Sequence, residues 1–212
     1  MLTRRNFFEQ ALAVPLAAGL NANPGRPSPG FDIVSEPNCL SKESAAGFRS
    51  LTADGYSHTR NITLLCATST ISMLEAVRLR DRAASGRWIV WEISPLPRNP
   101  QNFTMQCRIV RDLFGIVLCE PIHLSPDPLR NVGLYARYRW PHAALIRTFS
   151  AVVPIACSDA AVIAHYGSTP VAMKRRIGRG GIVFLGSMLG PNIRAEELEA
   201  QIITNEMLRS LT

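Results

Sequence analysis

Asn61-Ile62-Thr63-Leu64-Leu65-Cys66-Ala67 is a nearly unbroken apolar run, and Arg87-Trp88-Ile89-Val90-Trp91-Glu92-Ile93 is a second. A run of this kind, with no polar alternation, suits a strand covered on both faces, as in a parallel sheet. Between the two runs, residues from about Ser72 to Ser85 present Met73, Leu74, Val77, Leu79 and Ala83 as apolar positions against Arg78, Arg80, Asp81 and Arg82. That spacing predicts a helix, and Gly86 stands where a C-terminal cap belongs. Strand, helix, strand is the unit that builds a parallel sheet with helices packed on it.

The pattern extends in both directions. Phe31 to Val34 reads as a first strand, and Ser41 as the cap of a helix running to Leu51 with Ala45, Ala46 and Phe48 on its inner face. Ser94-Pro95-Leu96-Pro97 stops the strand that holds Trp91. A helix from about Phe103 to Phe114 ends at Gly115, and Ile116 to Cys119 reads as another short buried strand. From Tyr135 to Trp140 the character changes: Ala136, Tyr138 and Trp140 share one face, with Arg137 and Arg139 on the other. Ala161–His165, Pro170–Lys174 and Gly181–Leu185 are β-prone runs punctuated by Gly167-Ser168 and Gly178-Arg179-Gly180, as hairpins require. A last helix from about Ala195 to Leu211 offers Leu198, Ile202, Ile203 and Leu208 as its inner face. The expected fold is α/β: a three-layer sandwich on a mostly parallel sheet, with antiparallel strands added near the C-terminus.

Composition agrees with one folded domain. The chain has 212 residues, 47% hydrophobic and 18% charged, which excludes the profile of disorder. Its net charge of +7 is unaccompanied by a long Lys/Arg run or an RNA-binding aromatic motif, so nucleic acid is not indicated. The excess favours solubility and leaves a protein partner or an anionic ligand open. Five cysteines (Cys39, Cys66, Cys107, Cys119 and Cys157) include no C-x-x-C pair, and the four histidines have no paired spacing, so no metal or other cofactor is implied. At the start, Thr3-Arg4-Arg5-Asn6-Phe7-Phe8 resembles the twin-arginine export motif and leads into an apolar stretch from Ala11 to Leu20. That stretch is short of the roughly 20 apolar residues a membrane span needs. Residues 1–24 therefore read as a signal peptide, with an amphipathic N-terminal helix as the alternative. Residues 25–30 read as a Pro/Gly-rich linker and 31–212 as the domain, with a periplasmic or otherwise exported destination and no transmembrane span after signal removal.

Two segments resemble a known superfamily. The run Asn61–Ala67 with Ile71-Ser72, Glu75-Ala76, Leu79-Arg80, Ala84-Ser85-Gly86 and Trp88-Ile89-Val90 is one. Pro170-Val171-Ala172-Met173 followed by Gly178-Arg179-Gly180-Gly181-Ile182-Val183-Phe184-Leu185-Gly186 is the other, and Asp112-Leu113-Phe114-Gly115-Ile116 lies between them. Together they are similar to class I glutamine amidotransferase-like domains over about residues 31–211. They come closest in style to the non-catalytic branches: trehalose-utilisation-like proteins and the trimerisation domain of some β-galactosidases. The resemblance implies a flavodoxin-like sandwich.

The catalytic set of that superfamily is not recognisable. Its nucleophilic Cys sits on a strand-to-helix turn flanked by Gly, whereas Cys66 has Leu64 and Thr68 two residues away. The His-x-Glu pair is missing: Ser125, Ala144 and Gly167 stand two residues after His123, His142 and His165. The leading expectation is therefore an exported non-enzymatic binding or assembly module. A thiol-dependent hydrolase or amidase using Cys66 and His123 is the alternative. Ligands of open α/β sheets lie beyond the carboxyl ends of the strands, which singles out Thr68, Ser69, Ser94 and Glu120. The basic hairpin with Arg175, Arg176 and Arg179 is a candidate anion contact or a solvated turn.

Overall fold

The computed structural model describes residues 31–52, 61–94, 100–124, 134–148 and 151–211. The expected signal peptide and linker lie outside the described residues. In chain order the first elements are β1 (Phe31–Ser35), α1 (Cys39–Thr52), β2 (Ile62–Thr68), α2 (Met73–Ala84), β3 (Trp88–Ile93) and α3 (Pro100–Phe114). Short strands follow: β4 (Val117–Leu118), β5 (Ile122–His123), β6 (Tyr135–Tyr138), β7 (Ala144–Arg147), β8 (Ala151–Val152) and β9 (Ile155–Ala156). The chain closes with β10 (Ala161–Tyr166), β11 (Thr169–Ile177), β12 (Gly180–Leu185), α4 (Gly190–Arg194) and α5 (Leu198–Arg209).

The centre is an eight-stranded sheet in the order β1-β2-β3-β12-β11-β10-β6-β7. It is open, with β1 and β7 at its two ends. β1, β2, β3 and β12 run parallel, while β12, β11, β10, β6 and β7 are successively antiparallel. The α/β class and the antiparallel strands expected near the C-terminus are both present; the difference lies in which strands run parallel. Ile116–Cys119 explains part of the difference. The place beside β3 is filled by β12, which pairs from Gly181↔Trp88 to Leu185↔Glu92. β4 is thereby excluded from the sheet and pairs only with β9 on one of its faces.

Each face has its own core. On one side Phe48 and Leu51 of α1, Ile193 of α4 and Ile203 and Met207 of α5 pack on Leu64, Val90, Val183 and Leu185. On the other, Ala76, Leu79 and Ala83 of α2 and Ile109, Val110 and Phe114 of α3 pack on Leu65, Ile89, Trp91 and Phe184. Trp91 meets Phe114 edge-on at 5.8 Å between ring centroids and Phe184 at 5.7 Å, an arrangement that aromatic quadrupoles favour. α1 buries Ala45 and Phe48 as expected, whereas α2 and the last helix bury only part of the faces expected. On α2, Ala76 joins the core while Met73, Leu74 and Val77 are exposed. Ser72 fixes that rotation, capping the Glu75 N–H while the Glu75 carboxylate returns to the Ser72 N–H at 3.1 Å. The last helix is broken where Glu196 takes φ 60, so Leu198 and Ile202 end up exposed and Ile203 and Leu208 buried.

The connections show an asymmetry. β1→β2 and β2→β3 step the same way across the sheet, yet α1 lies on one face and α2 on the opposite one. Two such steps have opposite hands, and β2→α2→β3 agrees with α3, which follows β3 on the same face. One of the two connections therefore departs from the usual right-handed rule. The return from α1 to β2 passes through residues 53–60, outside the described residues.

α1 crosses α4 at two glycines. A Cβ on Gly47 would stand 2.1 Å from the Gly190 carbonyl oxygen and 3.0 Å from the Arg194 nitrogen, both of them backbone atoms. Gly47→Ala is expected to cost about 1–3 kcal/mol through overpacking, measured by urea unfolding of the variant against the parent chain.

Candidate functional site

The carboxyl ends of β1, β2, β3 and β12 converge on two carboxylates. Glu92, inside β3, is fully buried. One of its oxygens accepts the backbone N–H groups of Leu189 at 2.5 Å and Gly190 at 2.8 Å. The other accepts the Ala67 N–H at 3.1 Å and the hydroxyl of Ser44. Ala67 takes φ 42, a left-handed conformation costly for a residue with a Cβ, and its N–H is held by Glu92 in that position. Burial raises the Glu92 carboxyl above its ordinary range, and the four donors pull only partly the other way.

Glu36 follows β1 and is half-buried. It accepts the Ser69 N–H at 2.6 Å, the Ser69 hydroxyl at 2.8 Å, the Thr70 N–H at 2.8 Å and the Asn38 amide at 2.8 Å. Asn38 in turn caps α1 by accepting the Ser41 N–H at 2.7 Å. Ser41 is thus inside the helix and not its cap; its hydroxyl accepts the Glu36 N–H at 2.7 Å and donates to the Cys66 carbonyl at 2.5 Å. The turn after β2 is consequently gripped from two sides, by Glu92 at Ala67 and by Glu36 at Ser69. Beside it, the Thr68 hydroxyl and the Gln106 amide nitrogen are buried without a hydrogen-bond partner, although the Gln106 oxygen accepts the Ile71 N–H at 2.7 Å.

Thr68, Ser69 and Ser94 do come together here, with the Ser94 N–H donating to the Thr68 carbonyl at 3.3 Å. Glu120 does not join them: it is exposed and follows β4, outside the main sheet. The basic hairpin spends two of its three arginines on internal ties. Arg175 donates to the Phe114 carbonyl and lies 3.7 Å from Asp159, and Arg179 donates to the Ser85 carbonyl at 2.9 Å. Arg176 is exposed. Among the described residues no cluster of three or more His, Cys, Asp or Glu could hold a metal ion. No helix among them is long and apolar enough to cross a membrane.

The thiol-enzyme alternative fails on geometry. Cys66 is completely buried in β2, and burial, reinforced by the charge of Glu92, pushes its thiol far up. A reactive cysteine needs exposure and a lowered pKa. His123 stands exposed on the two-residue β5.

No family model matches the sequence, and no curated protein is found similar to it. Solved structures do share the fold. The β-galactosidase of Rahnella sp. R3 aligns at a TM-score of 0.59 and 14% identity over 86% of this chain and 31% of the enzyme. The exo-β-1,4-mannosidase Op5Man5 of Opitutaceae bacterium strain TAV5 aligns at 0.57 and 11% identity, over 84% and 35%. A cytoplasmic protein of Salmonella typhimurium LT2 aligns at 0.54 and 11% identity over 72% of each chain. The chain spans about a third of the length of the glycoside hydrolases it matches. These matches overturn the amidotransferase kinship read from the sequence. With it goes the expectation of a non-enzymatic binding or assembly module, since the proteins that share the fold include named hydrolases.

Neither Glu36 nor Glu92 was singled out from the sequence. The available signal was a lone acid inside the apolar run Arg87–Ile93, since a carboxylate in a doubly covered strand must find donors. Glu92→Gln puts an amide nitrogen beside the Ala67 N–H or the Leu189 and Gly190 N–H groups, and is expected to cost about 1–3 kcal/mol. It also removes a titration. The fold raises the Glu92 pKa, so folded protein holds that proton more tightly than unfolded. Stability from this group is full below the ordinary value of 4.5 and is lost as pH rises above it toward the folded value. Urea unfolding of both proteins between pH 4.5 and 8 is expected to show a downward slope in the parent that is flatter in Glu92→Gln.

Proposed function

We propose that this chain acts in glycoside processing, as the counterpart of one domain of a multidomain glycoside hydrolase. The supporting observation is the shared fold over 84–86% of the chain with a β-galactosidase and a mannosidase. The place of sugar contact in this reading is the carboxyl end of the parallel strands, where ligands of open α/β sheets lie. Glu36 is the half-buried carboxylate there, already oriented by Ser69, Thr70 and Asn38, and carboxylates are strong acceptors for sugar hydroxyls. Glu92 is sealed within the fold, so Glu36 is the carboxylate at this end that faces outward.

The finer architecture in this proposal is a flavodoxin-like sheet lacking its second strand. In the order 2-1-3-4-5, the chain leaves the first strand outward and returns across it to the third. If β1 is the first strand and β2 the third, loss of the second strand accounts for the opposite placement of α1 and α2.

Saturation-transfer NMR with galactose, mannose and lactose, beside hydrolysis of nitrophenyl β-galactoside and β-mannoside, tests the function. The expected result is saturable contact or hydrolysis with at least one of these. Glu36→Gln should weaken it about fivefold or more, because a charge-assisted acceptor becomes a neutral one. Wild-type protein inert toward all of them contradicts the proposal. Export is proposed from Arg4-Arg5 and the apolar stretch after it. Cell fractionation should find the chain outside the cytoplasm, with Arg4→Lys/Arg5→Lys retained inside; unchanged distribution contradicts it.

A further inference from the structure

The outer end of the sheet is held on a single side. β7 pairs with β6 from Tyr138↔Ala144 to Tyr135↔Arg147. The Thr148 N–H donates to the Leu134 carbonyl at 2.6 Å, which makes 134 and 148 a hydrogen-bonded pair. Antiparallel alternation then turns the N–H and C=O groups of Leu145 and Arg147 away from β6, toward the outer edge. The same alternation turns residue 139 toward β10, and the Arg139 N–H does donate to Ile163 there at 2.8 Å.

At Arg147 this edge is closed by side chains. Asn192 donates to the Arg147 carbonyl at 2.8 Å, and the Glu197 carboxylate accepts its N–H. At Leu145 no described residue meets the outward N–H or C=O. An open cleft of about 590 Å³ lies against this position, lined by Arg137, Ala143, Ala144, Leu145 and Glu199. Leu145 itself is 55% exposed. Arg137 makes no ion pair among the described residues, although it stands directly across from Leu145.

We propose that this cleft takes a short extended peptide segment that adds one strand to β7, with an acidic side chain opposite Leu145 and basic side chains on either side of it. Main-chain bonds to Leu145 supply the attachment, as in other edge-strand recognition. The charge pattern follows from the pleat. The residue opposite Leu145 points to the face that bears Arg137 and Tyr135, so an acid there extends the row Arg137–Leu145. Its two neighbours point to the opposite face, where α5 packs and Glu199 stands, so cations suit them. A second copy of the chain fits poorly. The Asn192 and Glu197 side chains at Arg147 would block an antiparallel strand-to-strand dimer at both of its ends, and a short peptide at only one.

The probe is acetyl-Val-Lys-Asp-Lys-Val-amide titrated into isotope-labelled full-length chain. The expected result is a saturable shift of the Leu145 amide resonance with slowed hydrogen exchange at that amide. Leu145→Pro deletes the outward donor without touching the β6–β7 ladder, and should weaken binding about tenfold, the worth of one strong hydrogen bond. Arg137→Glu should reverse the preference toward acetyl-Val-Asp-Lys-Asp-Val-amide, and this arm decides if Leu145→Pro does not fold. No shift at Leu145, equal affinity in Leu145→Pro, or no change of preference in Arg137→Glu overturns the proposal. So does a Leu145 shift with lactose and none with either peptide, which would make the cleft a sugar site.

Discussion

A carboxylate in the centre of a strand covered on both faces must be matched by donors or it destabilises everything around it. Glu92 is that group. Its partners come from three separate pieces of chain: Ser44 on α1, Ala67 at the end of β2, and Leu189 and Gly190 at the entrance to α4. Apolar packing is indifferent to small slides of one layer over another, but these bonds are directional. They fix where α1 and α4 lie relative to β2 and β3, and they hold Ala67 in its left-handed conformation. The close crossing of Gly47 and Gly190 beneath them has room for no side chain, so the same register is enforced by shape.

From that anchor the polar end of the sheet follows. Because Ala67 is pinned, the turn after β2 points its Ser69 and Thr70 N–H groups at Glu36, which orders the loop after β1 and, through Asn38, the start of α1. One carboxyl group is enclosed and held mainly by backbone donors, and the other faces outward and is held by backbone and side-chain donors alike. The antiparallel half needs no such device. β10, β11 and β12 are tied by two-residue turns at Gly167-Ser168 and Gly178-Arg179, with both glycines at positive φ, where L-residues other than Gly are strained. Lys174 lies 4.1 Å from the Trp140 ring centre and 5.0 Å from that of Trp88, a cation over two aromatic faces that covers the β11 surface.

Much of this was legible in the sequence because it is local. The runs around Leu64 and Val90, the hairpin glycines and the alternation from Tyr135 to Tyr138 each declare their strand by period and punctuation. What was not legible depends on competition between distant segments. Ile116–Cys119 has the composition of a core strand, yet the slot beside β3 goes to β12, whose six residues offer a longer ladder. β7 was missed because a four-residue edge strand after Pro141 leaves little pattern. The departures on α2 and α5, where Met73, Leu74, Val77, Leu198 and Ile202 are exposed, share one reason. The largest apolar side chains were assumed to be buried, whereas the rotation of each helix is set at its start, by the Ser72–Glu75 box in one case and the break at Glu196 in the other. At the site, Cys66 has the sequence context of a strand-end nucleophile, while the polar ties run from Glu36 to Ser69 and from Glu92 to Ser44, pairs that meet only in three dimensions.

Glu92 acts as one fastening for α1, β2, β3 and α4. Native-state hydrogen exchange of the Ala67, Leu189 and Gly190 amides measures this directly. If Glu92 holds them as a unit, all three exchange with the same opening free energy, near that of global unfolding. Exchange of the Leu189 and Gly190 amides through a low-energy local opening, with Ala67 still protected, would contradict it.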